Sequence, residues 1–514
     1  MLAGFAAALL AGTVHTAAFA PLEAWYLQLF ALALLARLTW HAAPRRAAVL
    51  GGLFGLGWLA SGFWWIHISL HQFGHLPWLL AALAVLLLAA FLACYYGAAL
   101  ALAAWLLRSA QPVWRIFVWP ACWLLAELVR ATLMTGFPWL TAGYAHTVGP
   151  LALWAPWIGV YGITALAAAI AVALAGLFAP KAASSRRPPP RGGARKLGAA
   201  RRFLESLRHW RPAAVMATLL GFGLLLPQDF SVSTGQLKVS LLQPNVAQEQ
   251  KFDRELMAAN LERLALQIES ARGQVVVTPE SVVPLPLDYL DPDFIQRIER
   301  VAAQRPLLLG SFLGDEQRGY VNSLVGFGGP VAYDYGKRHL LPFGEFIPPG
   351  FDWFVKALQI PLDDQARGQH QRSFDVAGQR LRPLICYEDL FGEDFVASMV
   401  GDGAATVLVN ASNLAWFGTL MVQDQHLQFS QMRALEFQRP VIRSTNTGAT
   451  AVVDHRGRIT ARLAPAVAGV LEAEVEGRSG STPYARWLNA FGLWPLWLAV
   501  ALVLGLAGWR RRAS

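Results

Sequence analysis

Cysteine is nearly missing from this chain. Among 514 residues there are three, Cys94, Cys122 and Cys386. No two of them have a paired spacing, so a disulfide framework is excluded. Without a CxxC or a His-rich cluster there is no metal-ligand spacing either. Charge is scarce too: 15% of residues are charged, whereas 55% are hydrophobic and 20 are tryptophan. That profile belongs to an integral membrane protein. The length exceeds what one ordinary core takes, so two or more modules are expected. A net charge of +10 raises nucleic acid as a partner, but the position of the charges argues against it.

Apolar runs of bilayer-spanning length recur before residue 230. They predict spans at about 1–20, 23–41, 48–68, 77–106, 112–130, 151–179 and 212–228, with an eighth at about 487–509. The segment 131–150, with GFPWLTAGYAHT, is less apolar and carries Gly and Pro, as a re-entrant or interfacial piece would. The first run ends in AAFAP like a signal peptide, yet no basic residue precedes it, so it is read as a retained helix. Arg45 and Arg46, then Arg108 and Arg115, then ten Lys or Arg within 181–211, then Arg510, Arg511 and Arg512 follow successive spans. With eight spans all four clusters share one face with the N-terminus. By the positive-inside rule that face is cytoplasmic, and both termini lie there. The net charge is then mainly topological, and no nucleic acid is expected. The Arg/Pro-rich loop is left a smaller chance of binding a partner.

Three parts follow: a membrane domain over 1–235 with seven helices and a basic loop at 181–211, an extracytoplasmic domain over 236–476, and an eighth helix with a basic tail over 477–514. The middle part alternates β-rich runs (LKVSLLQ, QVVVT, PLLLGSF, VNSLVGF, RPLICYE, TVLVNAS, PVIRSTN) with helical stretches at 253–272, 291–303 and 422–438. This is an α/β pattern with a covered sheet. In a bacterium it would face the periplasm or the outer surface.

Within that domain Glu280 ends VVVTPE, Lys337 lies in YDYGKRHLLPFGEFIP, and Cys386 ends PLICYE. Strand ends are where α/β sheets gather active sites. Alone, each is ordinary: a surface acid, a solvated lysine, a small buried hydrophobe. Together they form a chemical set. A thiol needs a base or a lowered pKa to become a nucleophile. A carboxylate serves if partial burial raises its pKa toward neutrality. An ammonium beside them favours both the thiolate and the oxyanion of a tetrahedral intermediate. His339 and His426 stay open as partners in a Cys/His pair. Cys94 and Cys122 are expected to be packing residues, and Asn410 and Arg443 stand at strand-end positions that could shape the site.

These segments, TPES, GKRHLLPFGEFIP and LICYED in this order, resemble the Glu-Lys-Cys set of the nitrilase superfamily. With eight spans around them, and with NASN.AWFG and RALEFQRPVIRSTNTGATA, the chain resembles the apolipoprotein N-acyltransferases of Gram-negative bacteria. The resemblance implies a polytopic α-helical bundle carrying a nitrilase-like αββα sandwich in the inner membrane. It implies transfer of an acyl chain from a phospholipid, mainly phosphatidylethanolamine, to the α-amine of an apolipoprotein's diacylglyceryl-cysteine. Cys386 would be the nucleophile, Glu280 the general base and Lys337 the oxyanion stabiliser, with Glu345, Glu388 and Tyr387 supporting. No metal or cofactor is implied, and a monomer is expected. The kinetics would be ping-pong.

Both substrates are lipid-anchored, so the aromatic segments FIPPGFDWFVKALQI and LAWFGTLM are read as lipid-facing arms, lids or substrate contacts. Trp353, Phe354, Asn413, Trp416 and Phe417 are the candidates there, with Phe252 near the domain's start. Two departures from the family pattern stand out. Leu414 occupies a position where many members carry an acid, and Phe252 one where Trp is common. A tethered amidase acting on a small amide is the rival enzyme, and a transporter with a binding domain the rival outside enzymes. The spans hold few of the ionisable groups transport uses, Glu127 being the clearest.

Overall fold

The computed structural model describes residues 2–108, 111–177, 214–215, 217–350 and 364–513. Helices over Leu2–Thr16, Trp25–Thr39, Pro44–Gly62, Trp78–Leu106, Arg115–Thr132 and Ala155–Leu177 pack into one bundle around a shared apolar core. Of the described helices three are long and apolar enough to cross a bilayer, and up to five if each bent pair counts as one span. Among the described residues the expected eight spans are thus not confirmed. The first two helices have 15 residues each, about 22 Å at the usual rise, short of a hydrocarbon core of about 30 Å. The expected 48–68 span bends by 61° after Gly62, where polar His67, Ser69 and His71 follow. The last bends by 83° at Gly492, whose φ of +57° ends the helix Pro483–Phe491 before Trp494–Ala513 begins. The basic loop at 181–211, and part of the span at 212–228, lie outside the described residues.

The polar domain holds two six-stranded sheets. The strands are β1 (Ser231–Gln243), β2 (Val275–Val277), β3 (Leu307–Asp315), β4 (Gly319–Phe327), β5 (Tyr333–Gly336), β6 (Phe374–Val376), β7 (Gln379–Ile385), β8 (Val407–Ser412), β9 (Val441–Thr445), β10 (Ala451–Val453), β11 (Ile459–Arg462) and β12 (Gly469–Gly480). Their orders are β12-β1-β2-β3-β4-β5 and β11-β10-β9-β8-β7-β6. Each centres on three parallel strands, β1-β2-β3 and β7-β8-β9.

Side-chain alternation assigns the layers. Leu237, Val239 and Leu241 of β1 meet Val407, Val409 and Ala411 of β8 between the sheets. Val276 and Leu309 face outward onto the helices Arg254–Ser270 and Pro292–Ala302. On the second sheet, Leu384, Leu408 and Val441 face the helix Val422–Phe437. That helix is polar by sequence yet buried almost throughout, because its far side packs on the membrane bundle. The αββα sandwich and the bundle thus share a core, through this helix and the turn that follows β7.

The segment 131–150 forms that junction. It folds as short turns with Ala142–His146 wholly buried. Arg130 donates to the carbonyls of Phe137 (2.7 Å) and Trp139 (2.8 Å) and pairs with Glu127 at 2.6 Å. Glu127 is therefore committed to a structural pair rather than to a transport path.

Candidate active site

Three strand ends converge where the sheets meet the bundle. Glu280 follows β2, Lys337 follows β5 and Cys386 follows β7. The turn carrying Glu280 presses against β3, where a Cβ on Gly310 would collide with the Pro279 carbonyl. Lys337 is fixed by its own backbone, donating to the Asn322 carbonyl and accepting from Gly368 N–H, each at 2.8 Å.

The Lys337 ammonium bridges two carboxylates, donating to Glu280 Oε1 at 3.1 Å and to Glu345 Oε1 at 2.6 Å. All three residues are buried. Glu280 Oε1 also accepts from Asn322 Nδ2 at 2.8 Å, and Oε2 from Asn413 N–H at 2.9 Å. Burial pushes the Glu280 carboxyl up, but Lys337 and the Asn413 N–H outweigh it and hold it below its ordinary range. This reverses the expectation of a base raised toward neutrality. Glu345 is the raised carboxyl, through burial and the nearby Glu280 charge. Burial alone would discharge Lys337, yet the two carboxylates keep it firmly protonated.

Cys386 is half-buried at φ +52°, a left-handed conformation that costs a non-glycine residue of order 1–3 kcal/mol. The turn is held in place: the Cys386 carbonyl accepts from Asn410 Nδ2 at 3.1 Å and His426 Nε2 at 3.2 Å. Burial and the Glu280 charge push the thiol well above its ordinary range, so it is protonated at rest.

Neither histidine pairs with the thiol. His339 engages Asp394 Oδ2 at 2.7 Å and the Thr135 carbonyl at 3.1 Å. His426 Nδ1 meets an Arg443 N–H. Because a guanidinium only donates, Nδ1 must accept, and the proton sits on Nε2 facing the Cys386 carbonyl. Arg443 in turn pairs with Asp389 at 3.0 Å, whose carboxyl burial raises to about 6. Asn410 and Arg443 lie within β8 and β9 rather than at their ends.

The supporting acids divide. Glu345 faces Lys337. Glu388 makes no contact with it; its oxygens accept from Arg338 N–H (2.8 Å), His339 N–H (3.2 Å), Tyr335 Oη (2.7 Å) and Ile385 N–H (2.7 Å). It braces the strand end of Lys337 to the turn of Cys386. The Tyr387 hydroxyl donates to the Gly136 carbonyl at 3.1 Å and fastens the turn to the junction segment.

Among the lid candidates, Asn413 is buried. Its side chain donates to Gln248 Oε1 at 3.0 Å and accepts from Asn446 Nδ2 at 3.1 Å, so it belongs to the holder of Glu280 rather than to a lid. Leu414 is buried beside it. Trp416 packs edge-on against Phe73, and Phe417 against Trp65, on the membrane bundle. Phe252, Phe343, Trp416 and Leu420 are exposed apolar side chains around the site. Trp353 and Phe354 lie outside the described residues. Cys122 is buried in the bundle and Cys94 faces outward from it.

Lys251 escaped the sequence analysis. It is buried and donates to Ser281 Oγ at 2.7 Å, next to the base. Burial lowers its pKa to about 8, against the pull of Glu280. Its place in EQKFD, within an otherwise solvated stretch, offered no signal.

Residues 11–173 match the family described as the apolipoprotein N-acyltransferase N-terminal domain, and residues 238–484 match the carbon-nitrogen hydrolase family. An apolipoprotein N-acyltransferase of Verminephrobacter eiseniae is 45% identical over 512 residues, 95% of this chain and 92% of that one. One of Ralstonia nicotianae is 42% identical, covering 99% and 94%. One of Bordetella bronchiseptica is 40% identical, covering 98% and 96%. With both parts matched by family models and near full-length similarity to these relatives, the chain belongs to the apolipoprotein N-acyltransferase family.

Proposed function

We propose that this protein is the acyltransferase that N-acylates apolipoproteins, moving an acyl chain from a lipid donor through a thioester on Cys386. The donor is a phospholipid, phosphatidylethanolamine foremost, and the acceptor is the α-amine of a diacylglyceryl-cysteine. The three-part division stands with its boundaries near 230 and 480, since β1 begins at Ser231 and β12 ends at Gly480. The sandwich stands on the periplasmic side of the inner membrane, with both termini in the cytoplasm and the protein a monomer.

The Glu280 carboxylate takes the Cys386 proton as Sγ attacks the ester carbonyl. Because the thiol is held protonated and the carboxylate ionised, proton transfer accompanies attack rather than preceding it. Lys337 stabilises first the developing sulfur charge and then the oxyanion. Collapse breaks the C–O bond, Glu280 returns its proton to the departing alkoxide, and lysophospholipid leaves. The lipoprotein amine then attacks the thioester. Glu280 takes the amine proton and passes it to the thiolate, which restores the resting state. Glu345 keeps Lys337 charged and in place.

The observation that carries lipid over a small soluble amide is the tie between Tyr387, next to the thiol, and Gly136 of the bundle. It holds the reacting sulfur at the junction with the membrane helices. The exposed Phe252, Phe343, Trp416 and Leu420 beside it suit a bilayer surface.

The test is an intact mass of purified protein incubated with phosphatidylethanolamine and no acceptor. A one-acyl increase, labile to hydroxylamine and missing in Cys386→Ala, is expected. Folded wild-type protein that stays unmodified would overturn the mechanism in favour of the amidase.

A further inference from the structure

At the end of the bundle opposite the sandwich lies a cavity of about 270 Å³. Trp40 and His41 line it after the second helix, Arg108 after the fourth, and Arg115 and Trp119 open the fifth. The sandwich meets the other end of the bundle, at Gly62, which closes the third helix, and at Gly136, beyond the fifth.

Arg115 is the telling residue. It is 9% exposed, its guanidinium lies over the Trp40 ring at 4.8 Å, and one nitrogen donates to the Trp40 carbonyl at 3.0 Å. Its Nε is buried without a partner. A buried guanidinium without an anion is costly, and among the described residues nothing in the bundle supplies one. Between residues 1 and 177 the only acids are Glu23, in the loop before the second helix at the sandwich end, and Glu127, already paired with Arg130. The field around the cavity is positive. Arg108 lines its rim, and Arg510 and Arg511 of the last helix stack on Trp114 and Trp105 at the same end of the bundle.

The geometry points to a second lipid site: the cavity takes the phosphate of an anionic phospholipid in the leaflet opposite the catalytic domain, held by Arg115 with Arg108 at the rim. A guanidinium fork suits phosphate, and basic clefts between membrane helices are where anionic head groups lodge. The Trp40 and Trp119 rings suit the level where head group gives way to chains. This site is separate from the thioester chemistry and stands whether or not that mechanism does.

The full chain in detergent, titrated with phosphatidylglycerol or phosphatidylcholine and read by native mass spectrometry, tests it. Wild type is expected to retain one phosphatidylglycerol in preference to phosphatidylcholine. Arg115→Gln should lower that retention by roughly tenfold, the worth of one charge-assisted contact. Arg108→Gln, an exposed position whose loss leaves the helices packed, should lower it too and decides the matter if Arg115→Gln does not give a monodisperse protein. No preference in wild type, or full preference kept in Arg108→Gln and in any folded Arg115→Gln, overturns the site. Inorganic phosphate that stabilises lipid-free protein as much as phosphatidylglycerol, and only when Arg115 is present, assigns the cavity to a free phosphate and overturns the lipid.

Discussion

Lys337 and Glu280 meet at 3.1 Å with both side chains almost sealed from solvent, and Glu345 closes on the same ammonium at 2.6 Å. Two carboxylates around one cation leave the group with a net negative charge. Burial, and with it that charge, keeps the Cys386 proton on sulfur until a substrate carbonyl can accept the negative charge. An idle enzyme in this state exposes no thiolate to oxidants, since reactivity follows thiolate character.

Removing the cation should therefore do more harm than removing the base. Lys337→Met leaves two buried carboxylates facing each other, which costs about 3–5 kcal/mol, and it should abolish thioester formation. Glu280→Gln should block the thioester with a smaller loss of stability, since Glu345 still neutralises Lys337 and an amide orphans only part of the donors that Glu280 accepts from. Thermal unfolding and intact mass on the same samples separate the two effects. Equal melting temperatures would show that Lys337 is not buried as a charge.

The rate of thioester formation should rise through about pH 8, the value to which burial lowers Lys251. Below that pH the Lys251 ammonium helps hold Glu280 ionised and weakly basic. Above it the charge is lost, the Glu280 carboxylate binds a proton more readily, and proton abstraction quickens. Single-turnover rates against pH should show this step in wild type, and Lys251→Met should lack it. A step that persists in the variant would assign the titration elsewhere.

Glu388 should prove a brace. Its two oxygens satisfy four donors, whereas an amide at the same place can serve only those on its single oxygen. Glu388→Gln should lower stability by about 2–3 kcal/mol through orphaned buried donors. The rate of thioester formation should fall while the phospholipid concentration giving half-maximal rate stays near that of wild type. Unchanged unfolding would count against the brace.

His426 is a positioning residue that acts through the Cys386 carbonyl. His426→Leu should slow thioester formation by about 10–100-fold, the order seen when a site is misplaced by an ångström. His426→Gln offers Arg443 an acceptor and the carbonyl a donor, and should recover part of the rate. If Leu and Gln behave alike, the hydrogen bond is not what matters.

Among the cysteines only Cys386 should matter. Cys386→Ala and Cys386→Ser should abolish transfer, while Cys94→Ala and Cys122→Ala keep it, as acyl transfer to a lipoprotein peptide would read. Activity in Cys386→Ala ends the mechanism.

The sequence by itself determined the local pieces. The runs LKVSLLQ, QVVVT, PLLLGSF and TVLVNAS became β1, β2, β3 and β8, and the three predicted helices appear within two residues of their expected ends. Apolar alternation and strand-end placement are local properties, so they are legible along the chain. The span count was less secure: a bend at Gly492, or a helix stopping after 15 residues, depends on what the neighbours cover. Only the tertiary structure decided the electrostatics of the site. Glu280 is depressed rather than raised because Lys337 and the Asn413 N–H, remote in sequence, both reach it and outweigh its burial. Lys251 and Arg115 look like ordinary surface charges until folding buries them. Burial and long-range hydrogen bonding set a side chain's proton affinity, and neither is written in its neighbours along the chain.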